Sequence, residues 1–139
     1  MSNERERLPD TRRSINRKFK IPYLDEHDKP QELKLYVIVG FYDDGRIGEV
    51  FIRADRVGSF LSGALDTIAM TMSVGLQYGI PLHELTSKLR HQRFEPSGRT
   101  GDPEFRSCTS PFDLVAQYLD AIKAKRVPPP AVDSPPQTA

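Results

Sequence analysis

The 139-residue sequence has no tryptophan, one cysteine and three histidines. A lone Cys108 excludes an internal disulfide. His27, His83 and His91 are scattered and unaccompanied by a CxxC pair, so a structural zinc site is not indicated. No apolar run approaches the roughly 18–20 residues that span a bilayer. The opening MSNERERLPDTRRS has no apolar signal-peptide core behind its charges. The expected location is therefore the cytoplasm, away from membranes. A large excess of one charge is missing too. The net charge is +1, so composition alone does not make the chain a polyanion binder.

Hydrophobic residues at 37% and charged residues at 28% suit one polar globule, and the length fits a single domain of roughly 100–200 residues. Charge is nevertheless uneven. Residues 1–20 hold Arg5, Arg7, Arg12, Arg13, Arg17, Lys18 and Lys20 against Glu4, Glu6 and Asp10, which is +7 − 3 = +4. Residues 1–13 read as a basic arm, in which Arg12 and Arg13 are candidates to meet phosphates or an acidic partner; a solvated terminus is the alternative. At the other end, VPPPAVDSPPQTA (127–139) is proline-rich with little to bury, and reads as an extended or disordered tail.

Between them, 14–126 reads as one domain. SINRKFKI (14–21) puts Ile15, Phe19 and Ile21 at odd positions among basic residues, the pattern of a polar edge strand. PYLDEHDKPQE is expected to loop back to a second strand, LKLYVIVGFY. DDGR (43–46) then makes a hairpin turn to IGEVFIRA (47–54). Both faces of this hairpin are fairly apolar, so helices should cover at least one, and the second leaves room for a dimer. From residue 58 the spacing of Leu61, Leu65, Ile68, Met72 and Leu76 turns helical, with Ser59 as N-cap and Gly79 as stop. A second helix is predicted over roughly 81–90 and a third over roughly 111–125. Strands and helices without a βαβ repeat imply an α+β fold: about three antiparallel strands packed against about three helices.

Two places carry candidate chemistry. Ser59, Ser62 and Gly63 open the long helix, whose free N–H groups would attract an anion; close packing of Gly63 and Ala64 on the sheet is the other reading. The second place is HQRFEPSGRTG (91–101). His91, Arg93, Ser97 and Arg99 supply donors there, Gly98 and Gly101 permit a backbone nest, and Thr100 lies between them. An anion or nucleotide contact and an ordinary surface loop both fit. P-loop spacing is absent, and Glu95 has no spaced partner for acid–base work. Cys108 precedes the third helix, whose dipole would lower its pKa, yet no motif sets a histidine beside it; a packed thiol is the alternative.

Taken together, RERLPDTRRS (5–14), GFYDDGRIGEVFI (40–52), GSFLSGALD (58–66), LQYGIPL (76–82) and HQRFEPSGRTGDPE (91–104) make the chain resemble a known module. It is similar to the C-terminal region of adenosylcobalamin-dependent (class II) ribonucleotide reductases, often called the TSCPD domain. The likeness runs over about 5–120. It implies a link to deoxyribonucleotide synthesis, with a reductase catalytic subunit as partner, a nucleotide as possible ligand, and adenosylcobalamin held by that partner and not by this chain. The family's Thr-Ser-Cys-Pro-Asp signature is not intact here, where Ser107-Cys108-Thr109-Ser110-Pro111 stands. Full-length enzymes end in a paired-cysteine tail, and this tail has no cysteine. Thiol–disulfide exchange needs a second thiol. The expected role is thus a non-catalytic accessory module, or at most a component of the reductase, with a nucleotide-sequestering or sensing protein as the alternative.

Overall fold

A computed structural model describes residues 4–55 and 59–125, for 124 and 125 the backbone only. The sequence after 125, with the proline-rich segment, lies outside the described residues. The chain begins with strands β1 (Ser14–Leu24), β2 (Pro30–Phe41) and β3 (Ile47–Ala54), which form one antiparallel sheet in the order β1-β2-β3. Helices α1 (Phe60–Gln77) and α2 (Leu82–Arg90) follow. A two-residue ribbon, β4 (Gly98–Arg99) with β5 (Ser107–Cys108), precedes α3 (Pro111–Lys125). This is the α+β arrangement that the periodicities predict.

Alternation fixes the sheet. Phe19 and Ile21 in β1, Leu33, Leu35, Val37 and Val39 in β2, and Val50 and Ile52 in β3 are all buried on one face. Against them lie Leu65, Ala69, Met72 and Leu76 of α1 and Leu114, Val115, Tyr118 and Leu119 of α3. Phe19, Phe105 and Tyr118 meet edge to face, with centroids 5.3–5.9 Å apart, a geometry that the ring quadrupoles favour. The other face is open: Tyr36 and Ile38 are half-buried, and Phe51 is 43% exposed.

The first connection is shorter than the sequence implies. Both strands extend through the prolines, pairing Pro22 with Glu32 and Leu24 with Pro30, so that only residues 25–29 turn. Pro22 lies on an edge strand, and Pro30 lies beyond the reach of β3, so neither removes a bond from the middle of the ladder. The carboxylate of Asp25 accepts from the N–H groups of His27 and Lys29 at 2.8 and 2.9 Å, and Asp28 takes φ of 59°, a conformation that aspartate tolerates.

Helix α1 runs back along the free edge of β3. The hydroxyl of Ser73 accepts from the N–H of Val50 (2.9 Å) and can donate to its carbonyl (3.1 Å); one turn on, Gln77 Nε2 donates to Gly48 O (2.9 Å). Two side chains at i and i+4 thus satisfy edge groups that would otherwise invite another strand. Ser59 accepts from Ser62 N at the start of this helix, and Gly79, with φ of 96°, follows its end. At α3, Ser110 accepts from Asp113 N (3.0 Å) while Asp113 accepts from Thr109 N (3.0 Å), a reciprocal cap.

Candidate functional site

The segment 91–109 is built from the end of α2 to the start of α3. His91 is the C-cap of α2. Phe94 N then donates to Thr109 O (3.0 Å), and Thr109 Oγ1 to Gln92 O (2.8 Å), which closes the loop at its base. The peptide before Pro96 is cis, and Gly98 and Gly101 take φ of 112° and 78°. Between β4 and β5 the chain turns around Asp102. One carboxylate oxygen accepts from the N–H groups of Glu104 (2.8 Å) and Phe105 (3.0 Å), and the other from Arg17 Nη2 (2.8 Å). Burial would raise the Asp102 pKa, but the hydrogen bond from Arg17 and the two backbone donors hold it below the usual carboxylate range. Arg17 in turn lies over Phe19, Phe105 and Tyr118, 5.1–5.8 Å from their centroids. It is the latch that ties the ribbon to β1.

The predicted residues sort by what they are free to do. His91, Arg93, Gly98, Arg99 and Gly101 are exposed, and Arg93 and Arg99 form no ion pair among the described residues. Ser97 is half-buried and donates to Glu95. Thr100 is buried; its hydroxyl donates to Phe105 O and accepts from Asp102 N, so it serves the turn. Arg12 and Arg13 lie elsewhere. The guanidinium of Arg12 grips buried Glu49 with two bonds of 2.7 and 2.9 Å. The segment before it is also fastened down, since Glu6 N donates to Gln77 O (2.8 Å) and Tyr42 Oη to Glu6 O (2.5 Å). Ser59, Ser62 and Gly63 stand at the Ala54 end of β3, the far end from Glu49. A Cβ on Gly63 would meet nothing within 4 Å, so close packing on the sheet does not account for this glycine. The structure assembles the loop residues into one place and leaves the other five in two others.

Cys108 is buried, and burial with the nearby Asp113 pushes its thiol up to about 11. The shift is opposite to the one a helix dipole alone suggests. Among the described residues, no group of three His, Cys, Asp or Glu side chains could hold a metal ion. No helix among them is long and apolar enough to cross a membrane.

One feature escaped the sequence reading. A depression of about 650 Å³ lies between the β2–β3 turn, the α1–α2 connection and the end of α3; it is lined by Phe41, Arg46, Leu76, Ile80, Leu82 and Lys123, among others. Its walls come from GFYDDGRIG and LQYGIPL, each legible alone only as a turn. Arg46 is held there by Asp44 (2.8 Å) and Glu6 (3.1 Å) and stacks 4.4 Å from the Tyr42 ring centre.

Comparison with known proteins adds a family. The model of the TSCPD domain matches residues 10–123. The vitamin B12-dependent ribonucleotide reductase of Rhodopirellula baltica is 41% identical over 115 residues, 83% of this chain and 10% of that protein. The proteins of the same name from Streptomyces coelicolor and Bradyrhizobium diazoefficiens are 36% and 37% identical, over 83% and 84% of this chain and 11% and 9% of their own lengths. The chain thus spans about a tenth of the length of these curated relatives. No solved structure matches.

Proposed function

The chain belongs to the TSCPD domain family, and from that premise we propose that it is a non-catalytic accessory module of a vitamin B12-dependent ribonucleotide reductase, serving deoxyribonucleotide synthesis in the cytoplasm. The observation that carries this reading is the shape of the match: 83% of this chain against 10% of the reductase. A reductase needs a far larger catalytic domain than one unit of this size. The chemistry of the chain agrees, because its one thiol is buried and held protonated at neutral pH, whereas exchange requires an accessible thiolate and a second sulfur. Adenosylcobalamin belongs to the partner in this reading. The depression suits a protein contact, with Phe41, Leu76, Ile80 and Leu82 as apolar walls and Lys123 at its rim.

The test is capture of the reductase. Tagged protein in its native host should recover a large vitamin B12-dependent reductase, and the purified pair should re-form the complex. If the purified reductase shows no binding at micromolar concentrations, the accessory reading fails.

A second reading, nucleotide binding by the 91–101 loop, is favoured by the exposed Arg93 and Arg99, in no ion pair among the described residues, beside two glycines with positive φ. Calorimetry with nucleoside di- and triphosphates tests it. Arg99→Ala should weaken binding with little change in melting temperature, and no heat at millimolar nucleotide refutes it.

A further inference from the structure

The open face of the sheet carries a surface that neither reading uses. Cross-strand register sets Lys18, Tyr36 and Arg53 in one row and Lys20 opposite Lys34 in the next, with Phe51 diagonal to Tyr36. Lys18, Lys20 and Arg53 are exposed and Lys34 is half-buried. None of the four forms an ion pair among the described residues. The Lys18 ammonium lies 5.7 Å from the Tyr36 ring centre, and Phe51 is 43% exposed. Three acids of the described residues share this face, two of them beside Lys34. Glu49 is closed by Arg12, Asp55 accepts from the backbone N–H of Lys34, and Glu32 lies at the outer end of β2.

Two of these features oppose stability if the face only meets water. Like charges directly opposite across strands, as at Lys20 and Lys34, are destabilising. An exposed phenylalanine ring forgoes its burial. Both become favourable under one class of ligand: cations for a phosphate backbone, rings for bases.

We propose that this face binds single-stranded nucleic acid without strong sequence preference. Lys18, Lys20, Lys34 and Arg53 would neutralise successive phosphates, and Phe51 with Tyr36 would stack on unpaired bases. A duplex hides its bases from such a platform, so single strands are preferred. An acidic protein would satisfy the cations but not the rings.

The test uses the full chain and a labelled oligothymidylate of about 12 nucleotides, within the site sizes such platforms cover, read by fluorescence anisotropy. Binding should saturate, and log K should fall with log salt with a slope of about −3 for four phosphate contacts. Phe51→Ala should weaken binding about 5-fold or more, as loss of a stacked base does. The Lys20→Ala/Lys34→Ala pair should weaken it and shrink the slope by about half. The lysine pair should keep or raise the melting temperature, since it removes the facing like charges. Arg53→Ala, at an exposed position, serves if the lysine pair perturbs folding. A duplex of equal length should bind more weakly. No saturable binding at about 100 μM protein overturns the proposal. So does binding that Phe51→Ala leaves unchanged, or equal competition by polyglutamate, which would mark an acidic-protein site.

Discussion

Replacing Arg17 with alanine tests whether the ribbon that presents the loop is held by one side chain. The guanidinium makes a 2.8 Å pair with Asp102, both ends partly exposed, which contributes about 0.5–1 kcal/mol after screening. The 3.5 Å contact to Glu104 adds little. Its carbon lies 5.1 and 5.2 Å from the Phe105 and Phe19 centroids, each contact worth about 0.5–1 kcal/mol at a partly desolvated site. With its aliphatic stem packed on the same rings, the expected loss is about 2 kcal/mol. At about 4 °C per kcal/mol for a domain of this size, the melting temperature should fall by about 8 °C. Hydrogen exchange at Thr100 N, which bonds Arg106 O across the ribbon, should quicken more than exchange in β2. Arg17→Lys should recover less than half of the loss, since an ammonium cannot lie flat on three rings. The sign with pH follows from Asp102. Its native pKa is depressed, so its stabilisation is complete above the unfolded value of about 3.9 and disappears as pH falls through the native value. The gap between parent and Arg17→Ala should therefore be constant near neutrality and narrow in acid, leaving the ring contacts. A loss under about 0.5 kcal/mol, or a gap that ignores pH down to acid unfolding, refutes the latch.

Gly40→Ala places a Cβ 2.6 Å from Glu49 Cγ, and Glu49 is pinned by Arg12, so urea titration should show a loss of about 2–3 kcal/mol. Adding Arg12→Ala to that variant should cost much less than it does alone, because the pair is already broken. Ser73→Ala leaves Val50 N–H without its acceptor and should lower stability by about 1–2 kcal/mol in the same titration. Cys108, with its thiol at about 11, should resist a disulfide reagent in the native protein at pH 8 and react once guanidinium unfolds the chain. Rapid native labelling would show the thiol to be accessible.

What the sequence made legible was what repeats or caps. Phe19 and Ile21 announce the inner face of β1 through period two. Leu65, Met72 and Leu76 announce the buried stripe of α1, and Ser59 and Gly79 mark its ends. The β4–β5 ribbon left no such trace, because two residues per strand cannot show alternation. The hairpin at 25–29 was hidden by Pro22 and Pro30, which usually argue against a strand and here fall where no ladder bond is lost. Arg12 and Glu49 are 37 residues apart, so the basic arm looked free although part of it is committed.

That commitment changes where a partner can be sought. Arg12, Arg17, Arg46 and Arg90 are all in ion pairs with the protein's own carboxylates. A net charge of +1 spread evenly would leave nothing to attract an anion, but pairing these arginines with internal acids concentrates the remaining cations. Among those outside any ion pair in the described residues, Lys18, Lys20, Lys34 and Arg53 share the open sheet face and Arg93 and Arg99 stand on the loop, two surfaces that adjoin where β1 meets β4. The two are separable by mutation, since Phe51 faces only the first and Arg99 belongs only to the second. Loss of oligonucleotide binding in Phe51→Ala with nucleotide binding intact would assign them different ligands. Equal loss of both in Arg99→Ala would instead make them one continuous anion path, with the ribbon that Arg17 holds against β1 as its bend.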